Sequence, residues 1–261
     1  MNELVSVIIP TYGLPDTLED SVKSVLMQDY SQIEVFVVDD NDPNSEERNK
    51  TEILMDNLLK QDTRLQYLKH EKNKNGSAAR NTGFRQSTGK FVCFLDNDDV
   101  FLQGKIKAQI QFLQENNEFD AVYCGYRVNG EDYHPKLEGS LKRELMLMYY
   151  EPVTSSLMFR REAIDRLNGF DEQFIRHQDY ELMLRFFEDH SVSFVNEIYI
   201  DKGRVSDKNI VRGQKLLDLK SLYFNQFEYI IKDLETDEPK IRKKIYSRHY
   251  SKVFLTNMNH K

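Results

Sequence analysis

The apolar residues of this 261-residue chain fall into short runs that are separated by segments of helical periodicity. The runs over residues 4–9, 33–38, 65–68 and 91–95 predict strands, and the uninterrupted run 91–95 is typical of a strand that is buried on both faces. Between these runs, apolar side chains recur every three or four residues, which predicts helices. Strands that alternate with helices in this way predict an α/β fold with a mainly parallel, doubly wound sheet.

The pattern becomes less regular in the second half of the chain. It predicts a helix over residues 103–114, strands over 119–126, 153–160 and 192–200, and an amphipathic helix over 179–187. A polar segment follows the first of these three strands. Loops of this kind on a rigid sheet usually select substrates, so we expect the second half to contact the substrate that varies most.

From Asp207 onward the apolar residues recur at helical spacing, so residues 207–261 predict a helical extension to a domain formed by residues 1–206. The chain has a net charge of −7, yet the stretch from Lys240 to Lys261 contains seven Lys and Arg and no Asp or Glu. Because the chain is acidic overall and lacks a recognised binding motif, nucleic acid is not an expected partner. The basic end predicts either a membrane-surface helix or a helix docked on the acidic domain or on a second subunit.

Targeting signals are missing from the pattern. No apolar run is long enough to cross a membrane, and no basic segment with an apolar core opens the chain, which predicts a cytoplasmic location. Peripheral contact with the inner face of the cell membrane through residues 240–261, and homodimerisation, are left open. Cys93 and Cys124 lie in apolar runs without metal-ligand spacing, which predicts buried, reduced thiols.

Candidate chemistry is concentrated where the run 91–95 ends. Asp96, Asp98 and Asp99 follow it directly, and open α/β sheets bind ligands at the carboxyl ends of their strands. Carboxylates this close repel one another, so they favour a hard cation such as magnesium, manganese or calcium. The alternative is an acidic turn that caps the next helix, since Asp and Asn are common cap residues.

Two further segments carry polar residues at strand or helix ends. Asp40 follows the second strand as the Asp cluster follows the fourth. In the segment 73–81, Gly76 stands at a loop-to-helix transition and Arg80 lies one turn into the helix, while small residues between them allow close approach. This segment therefore suits a phosphate group.

Taken together, these motifs resemble glycosyltransferase family 2, the inverting enzymes with the GT-A fold. The resemblance rests on six ordered motifs that cover roughly residues 4–206: Val5-Ser6-Val7-Ile8-Ile9-Pro10-Thr11-Tyr12, Val37-Val38-Asp39-Asp40, Asn75-Gly76 through Ala79-Arg80-Asn81, Leu95-Asp96-Asn97-Asp98-Asp99, Gly169-Phe170-Asp171-Glu172, and Gln178-Asp179-Tyr180-Glu181-Leu182. It implies a Rossmann-like nucleotide-binding sheet, with a nucleotide-sugar half over about 1–100 and an acceptor half over about 101–206.

The resemblance implies a nucleotide-sugar donor, most often a UDP-sugar, at the carboxyl ends of the first four strands. Asp40 would accept a hydrogen bond from the base, Arg80 would face the diphosphate, and Asp96 would reach the ribose or a metal-bound water. The loop of Thr11 and Tyr12 would pack on base and ribose. The full set of implied donor-binding residues is Pro10, Thr11, Tyr12, Asp40, Asn75, Gly76, Arg80, Asp96 and Asn97.

Two roles remain for acidic residues. Asp98, with Asp99 as the alternative, would ligate a divalent cation, Mn²⁺ or Mg²⁺, that offsets charge on the departing diphosphate. Asp179 would act as general base on a hydroxyl of a saccharide or lipid-linked saccharide acceptor, in the synthesis of a cell-surface polysaccharide. The alternative for Asp179 is an acid that merely interacts with a helix amino terminus.

The sequence departs from the family pattern in the loop 199–206, where many members carry a histidine and this chain has none. Lys202 or Arg204 could neutralise the diphosphate instead, or the loop could be structural. His177 precedes the proposed base, and an exposed polar histidine is favoured there over a contact with the acceptor. Two other classes stay open: a non-catalytic binder of nucleotide sugars, and, with less support, a sugar nucleotidyltransferase.

Overall fold

The computed structural model describes residues 3–13, 15–203 and 212–258. Arg204, the predicted boundary between residues 206 and 207, and the predicted start of the helical extension at Asp207 lie outside the described residues. Within these ranges both cysteines are buried and free, which confirms the prediction of reduced thiols.

The first half of the molecule is a regular alternation of strands and helices. Four parallel strands lie in the order β3-β2-β1-β4. The elements of this half are β1 (Val5–Thr11), α1 (Pro15–Leu26), β2 (Ile33–Asp39), α2 (Glu46–Leu58), β3 (Leu65–Lys69), α3 (Gly76–Gln86) and β4 (Phe91–Phe94). Their positions agree with the apolar runs in the sequence. Strands β1, β2 and β4 are almost wholly buried, whereas the edge strand β3 exposes Gln66 and Lys69.

The second half continues the same sheet with mixed directions. The sheet order runs on as β4-β8-β6-β9-β5, with β8 antiparallel to both of its neighbours and β6 parallel to β9. The elements are β5 (Val100–Phe101), α4 (Lys105–Glu115), β6 (Ala121–Val128), β7 (Glu131–Tyr133), α5 (Lys142–Met146), a 3₁₀ turn (Thr154–Ser156), β8 (Met158–Arg160), α6 (Arg161–Arg166), α7 (Gln178–Phe186) and β9 (Val192–Lys202).

The predicted strand over residues 153–160 is wrong in its first half. Residues 154–156 form a 3₁₀ turn, and only Met158–Arg160 is a strand. The turn exists because the Ser155 hydroxyl donates to Asp99 Oδ2 at 2.6 Å and accepts from the Asp96 amide at 3.2 Å. A straight strand could not place one side chain against both ends of that acidic loop.

Helices cover both faces of the sheet, as the doubly wound prediction requires. Ile8, Val38 and Phe94 belong to a core shared with α3, α5 and α7, whereas Val7 and Val37 belong to a core shared with α1, α2 and α4. Successive strand residues point to opposite faces, which explains how neighbours in sequence enter different cores. The predicted α/β fold is confirmed.

The helical extension is confirmed over the part of it that the structure describes. It contains α8 (Gly213–Gln226), α9 (Glu228–Asp237) and α10 (Ile241–Met258). One face of α10, with Ile241, Ile245 and His249, is fully buried, so this face is docked on the domain. No helix in the described ranges has the length and apolar character needed to cross a membrane.

Candidate functional site

The carboxyl ends of β1, β2 and β4 meet around a cavity of about 370 Å³. It collects all nine residues predicted to bind the donor, and Asp98 as well, and is named the donor cavity after that prediction. Its lining is Pro10, Thr11, Tyr12, Asp40, Asn73, Asn75, Gly76, Ala79, Arg80, Asp96, Asn97, Asp98, Ile175, Arg176 and Gln178. Parallel strands explain this convergence, because their carboxyl ends lie at one edge of the sheet.

Asp40 holds the loop that begins α3. Its two carboxylate oxygens lie within hydrogen-bond distance of His70 Nδ1 at 2.7 Å, Asn73 Nδ2 at 3.0 Å, and the amides of Lys74 and Asn75, each at 2.8 Å. A carboxylate offers about four acceptor positions, so these partners occupy them. The predicted contact of Asp40 with a base would therefore require one of these hydrogen bonds to break.

Thr11 and Tyr12 differ in exposure although they are adjacent. The Thr11 hydroxyl is buried and accepts from Asn97 Nδ2 at 2.8 Å, which ties the end of β1 to the acidic loop. The Tyr12 side chain is 51% exposed at the mouth of the donor cavity. Tyr12 therefore has a free ring for stacking, whereas Thr11 positions its neighbours.

Arg80 joins the acidic loop to α7. Its guanidinium donates to Asp96 Oδ1 at 2.5 Å and to Gln178 Oε1 at 2.6 Å, and it lies 5.4 Å from the centre of the Phe170 ring. Its Nε is buried without a hydrogen-bond partner among the described residues. A buried donor without a partner costs free energy, which a ligand oxygen at this position would recover.

Asp98 and Asp99 occupy different environments. Asp99 is buried, accepts from Ser155 and from the Gly203 amide at 3.1 Å, and has a pKa raised by burial. A side chain at Gly203 would come within 2.0 Å of the Asp98 carbonyl oxygen, so only glycine allows this close approach. Asp98 lines the donor cavity and Asp99 does not. This geometry favours Asp98 over Asp99 as a ligand.

A second cavity of about 630 Å³ adjoins the first; it contains Asp179 and is named the acceptor cavity after the role predicted for that residue. The two cavities share Arg80, Asp96 and Gln178 in their walls, together with two residues of the loop before α7. The lining of the acceptor cavity is Arg80, Asp96, Tyr126, Glu151, Pro152, Val153, Thr154, Ile175, Arg176, His177, Gln178, Asp179, Tyr180, Lys202, Leu216, Lys220, Lys252 and Val253. Helices α8 and α10 contribute the last four.

Asp179 lies in the acceptor cavity, in the first turn of α7. One carboxylate oxygen accepts from the Tyr180 amide at 2.9 Å. The pKa of Asp179 is raised to about 6, chiefly by burial and also by the charge of Asp96, against the opposing effects of the Tyr180 amide and Arg80. A carboxylate with this pKa is ionised at neutral pH and still basic enough to take a proton, which is what a general base requires.

His177 is half-buried, so the favoured prediction of an exposed histidine is wrong. It lies in the acceptor cavity with a backbone φ of 59°, and its Nε2 is buried without a hydrogen-bond partner among the described residues. Burial and nearby cations lower its pKa to about 3, so the ring is neutral at physiological pH. A neutral ring nitrogen beside Asp179 can hydrogen-bond a hydroxyl group.

The comparison that decides the family covers most of the domain. The family model described as Glycosyl transferase family 2 matches residues 6–185. The chain belongs to glycosyl transferase family 2. This confirms the resemblance that the six motifs carry.

Two relatives of this family 2 glycosyltransferase have moderate sequence identity to it. It is 29% identical over 221 residues to UDP-Glc:alpha-D-GlcNAc-diphosphoundecaprenol beta-1,3-glucosyltransferase WfgD of Escherichia coli, and the match covers 83% of either chain. It is 36% identical over 125 residues to an uncharacterized glycosyltransferase of Rickettsia conorii, which is 48% of this chain and 20% of that protein. The chain thus spans most of the first relative and about a fifth of the second.

Solved structures share the fold of the glycosyltransferase. The S. aureus TarS fragment 1-349 in complex with UDP-GlcNAc has a TM-score of 0.72 at 19% identity, over 95% of this chain and 73% of that one. The mannosyltransferase PcManGT from Pyrobaculum calidifontis, in complex with GDP-Man and Mn²⁺, has a TM-score of 0.63 at 18% identity, over 79% and 59%. At such identities the likeness shows the fold alone, and it confirms the predicted GT-A fold.

Asp98, in the wall of the donor cavity, is the candidate carboxylate ligand for a metal ion at this site. Within residues 3–13, 15–203 and 212–258, no three His, Cys, Asp or Glu side chains converge as a metal site. Burial and the charge of Asp96 raise the pKa of Asp98, so a cation beside Asp98 would relieve repulsion. Nucleotide-bound metal ions commonly use one or two carboxylates together with phosphate oxygens. The residues present fit a cation that is held jointly with a diphosphate.

Several residues of the glycosyltransferase site gave no local signal in the sequence. Ser155, Glu151, Lys220 and Lys252 lie in segments without a motif, far in sequence from the acidic loop. Lys202 is the exception, since the sequence names it as a substitute for the missing histidine, and it lines the acceptor cavity. The charge of the extension was visible in the sequence, but its place in the acceptor cavity was not.

Proposed function

We propose that this glycosyltransferase moves a sugar from a UDP-sugar to a hydroxyl of a saccharide or lipid-linked saccharide, with inversion at the anomeric carbon. Cell-surface polysaccharide synthesis is the process in which we place it. The observation that carries the proposal is the pair of adjoining cavities: Asp98 lines the donor cavity, Asp179 lines the acceptor cavity, and Arg80 belongs to both.

This arrangement suits displacement from the face opposite the leaving group. Asp179 takes the proton of the acceptor hydroxyl, and the hydroxyl oxygen forms a bond to the anomeric carbon. The bond from that carbon to the diphosphate oxygen breaks, and its electron pair leaves with UDP. Because attack and departure occur on opposite faces, the configuration inverts. Positioned proton transfer contributes on the order of 10²–10⁴ in rate.

The donor half would hold UDP through several contacts. Tyr12 would stack on the base, the α3 amino terminus at Gly76 would face the diphosphate, and Arg80 would donate charge-assisted hydrogen bonds to it. A divalent cation, Mn²⁺ or Mg²⁺, would be held by Asp98 and would neutralise charge on the departing diphosphate. Support for uridine comes from WfgD, named for UDP-Glc, and from TarS, solved with UDP-GlcNAc.

The test combines binding and turnover. Calorimetry with UDP, with and without Mn²⁺, should show tighter binding when Mn²⁺ is present. Incubation with UDP-Glc or UDP-GlcNAc and a panel of saccharides and lipid-linked saccharides should release UDP only when an acceptor is present. Binding without transfer to any acceptor would indicate a non-catalytic binder. Pyrophosphate release from UTP and a sugar 1-phosphate would indicate a nucleotidyltransferase.

Peripheral membrane contact through residues 240–261 and a cytoplasmic location stay predictions, as does homodimerisation. Support for the contact comes from the outer face of α10, where Tyr250 and Phe254 are exposed. Flotation with vesicles that contain anionic lipid, compared with neutral vesicles, would test it. Binding that disappears with neutral lipid would support a role for the basic residues.

A further inference from the structure

The extension forms one wall of the acceptor cavity. Leu216 and Lys220 of α8 and Lys252 and Val253 of α10 line it, and none of the four lines the donor cavity. Charges contributed by these helices therefore act on the acceptor rather than on the nucleotide. Lys252 is engaged with Glu151 at 2.7 Å.

Lys220 is a buried cation with an uncharged partner. Its side chain is only 4% exposed, and its Nζ lies 3.2 Å from His249 Nδ1. His249 Nε2 lies 3.0 Å from the Met146 carbonyl oxygen. A carbonyl only accepts, so Nε2 must carry the proton, and Nδ1 is left to accept from the Lys220 ammonium group. Burial lowers the pKa of His249 to about 3, which agrees with a neutral ring.

No carboxylate of the described ranges lies within 4.0 Å of the Lys220 ammonium nitrogen. Its remaining close contact is the Tyr223 ring, whose centre lies 5.6 Å away. Burial, together with the positive charge of Lys252, lowers the pKa of Lys220 to about 8. Buried charges are normally paired, because an isolated charge loses its hydration without compensation. The position of Lys220 is therefore suited to an anion that enters from the cavity.

The charge balance of the cavity agrees with this. Its lining has five cationic side chains, Arg80, Arg176, Lys202, Lys220 and Lys252, against three acidic ones, Asp96, Glu151 and Asp179. Arg80 is paired with Asp96, and Asp179 is the proposed base. Lys252 is engaged with Glu151 in the same way, which leaves Arg176, Lys202 and Lys220 to outnumber Asp179, and of these three cations Lys220 belongs to the extension. A site with several cations matches a group with more than one negative oxygen.

We propose that Lys220 binds a phosphate or diphosphate group on the acceptor, so that the acceptor is a saccharide phosphate ester and the extension selects it. This inference rests on the proposed function and specifies its acceptor class. A diphosphate between saccharide and lipid, as in the acceptor for which WfgD is named, has this chemistry. The cavity of about 630 Å³ has room for a sugar as well as its ester.

The experiment measures binding of octyl diphosphate, octyl phosphate and octanoate to the full chain by calorimetry, with UDP and Mn²⁺ present in excess to occupy the donor cavity. We compare wild type with Lys220→Met and Lys220→Gln, and use Lys215→Met, on the exposed side of α8, as the matched control. Loss of a charge-assisted hydrogen bond should weaken octyl diphosphate binding about tenfold or more in both Lys220 variants. The Lys215 variant should bind like wild type.

The outcomes distinguish a failure of the proposed function from a failure of the inference about the acceptor. If UDP does not bind to wild type, the proposed function fails. If UDP binds but octyl diphosphate does not, or binds equally to wild type and to the Lys220 variants, the acceptor inference is wrong while the proposed function stands. If octanoate binds as tightly as octyl phosphate, Lys220 does not select a phosphate group, and the phosphate inference is wrong. The Gln variant removes a buried charge and retains a donor for His249, so its melting temperature should not fall. The Met variant leaves His249 Nδ1 without its donor, so a lower melting temperature there would leave the comparison with the Gln variant intact.

Discussion

The donor half and the acceptor half of this glycosyltransferase are built in different ways. The donor cavity is formed mainly by the ends of parallel strands and by loops directly after them, so most of its residues lie within short sequence motifs; Ile175, Arg176 and Gln178 join them from the loop before α7 and its first residue. The acceptor cavity draws on β6, the turn before β8, α7 and two helices of the extension. Under the proposed function, nucleotide recognition would be mostly local in sequence, whereas acceptor recognition would depend on how distant segments pack. Substitutions in the two halves should therefore affect different substrates.

If the two cavities bind different substrates, Asp179→Asn should have the largest effect on transfer and little effect on donor binding. The amide cannot take a proton, so kcat should fall by about 10²–10⁴. Binding of UDP should stay within about twofold of wild type, because Asp179 does not line the donor cavity. Transfer is measured by acceptor-dependent UDP release, and binding by calorimetry.

The matched control for Asp179 is Asp189→Asn, which changes an exposed acid just beyond the same helix and should leave kcat unchanged. In wild type, kcat/KM should fall tenfold for each pH unit below about 6, because the raised pKa of Asp179 leaves the base protonated there. Above pH 6 the carboxylate is ionised and the rate should level off. Retained turnover in Asp179→Asn would refute the assigned base.

The second largest effect should separate two adjacent carboxylates. Asp98→Asn should lower kcat by about 10²-fold, corresponding to several kcal/mol of lost charge stabilisation, and should raise the Mn²⁺ concentration needed for half-maximal rate. Asp99→Asn should leave that concentration nearly unchanged, since its carboxylate is engaged by Ser155 and the Gly203 amide. Titration of Mn²⁺ at a fixed donor concentration measures both kcat and the Mn²⁺ concentration for half-maximal rate in each variant. The reverse ranking would make Asp99 the ligand.

Sequence reasoning succeeded where the site is local. The acidic residues after β4, and Asp40 after β2, were identified because a strand end and its loop are adjacent in the chain. Ser155 was missed because a run of apolar and small residues resembles a strand, and only its contact with Asp99 forces the turn. Strands β5 and β7, with two and three residues, are too short for periodicity to detect.

The part of the acceptor cavity that α8 and α10 form was not predicted, for a related reason. Residues 207–261 predicted helices, and their basic charge suggested a docked helix or a membrane helix. Which side chains of those helices reach a cavity depends on the packing of α8 and α10 against the domain, and periodicity does not specify a docking partner. The structure shows Ile241 and Ile245 in the core, and that docking brings Lys252 of the same helix into the acceptor cavity.

Arg80→Lys should affect both substrates, because Arg80 lies in the wall that the cavities share. Lysine keeps the charge but lacks the planar fork in which two separate nitrogens bond Asp96 and Gln178. The loss of a hydrogen bond to a charged group costs about 1.5–3 kcal/mol, so kcat/KM should fall roughly 10–100-fold. Affinity for UDP should weaken along with it. A change confined to the acceptor KM would place Arg80 in the acceptor half alone.

The smallest effect should come from His177→Asn, which tests whether acceptor contacts in this half extend beyond the base. Asparagine tolerates the left-handed backbone at this position, so the φ of 59° can be kept while the ring nitrogen is lost. One neutral hydrogen bond contributes about 0.5–1.5 kcal/mol, so the acceptor KM should rise roughly 3–10-fold. The donor KM should not change, because His177 does not line the donor cavity. His134→Asn, at an exposed position, serves as the control. Equal acceptor KM values in the two variants would mean that Nε2 is buried without a partner even when the acceptor is bound.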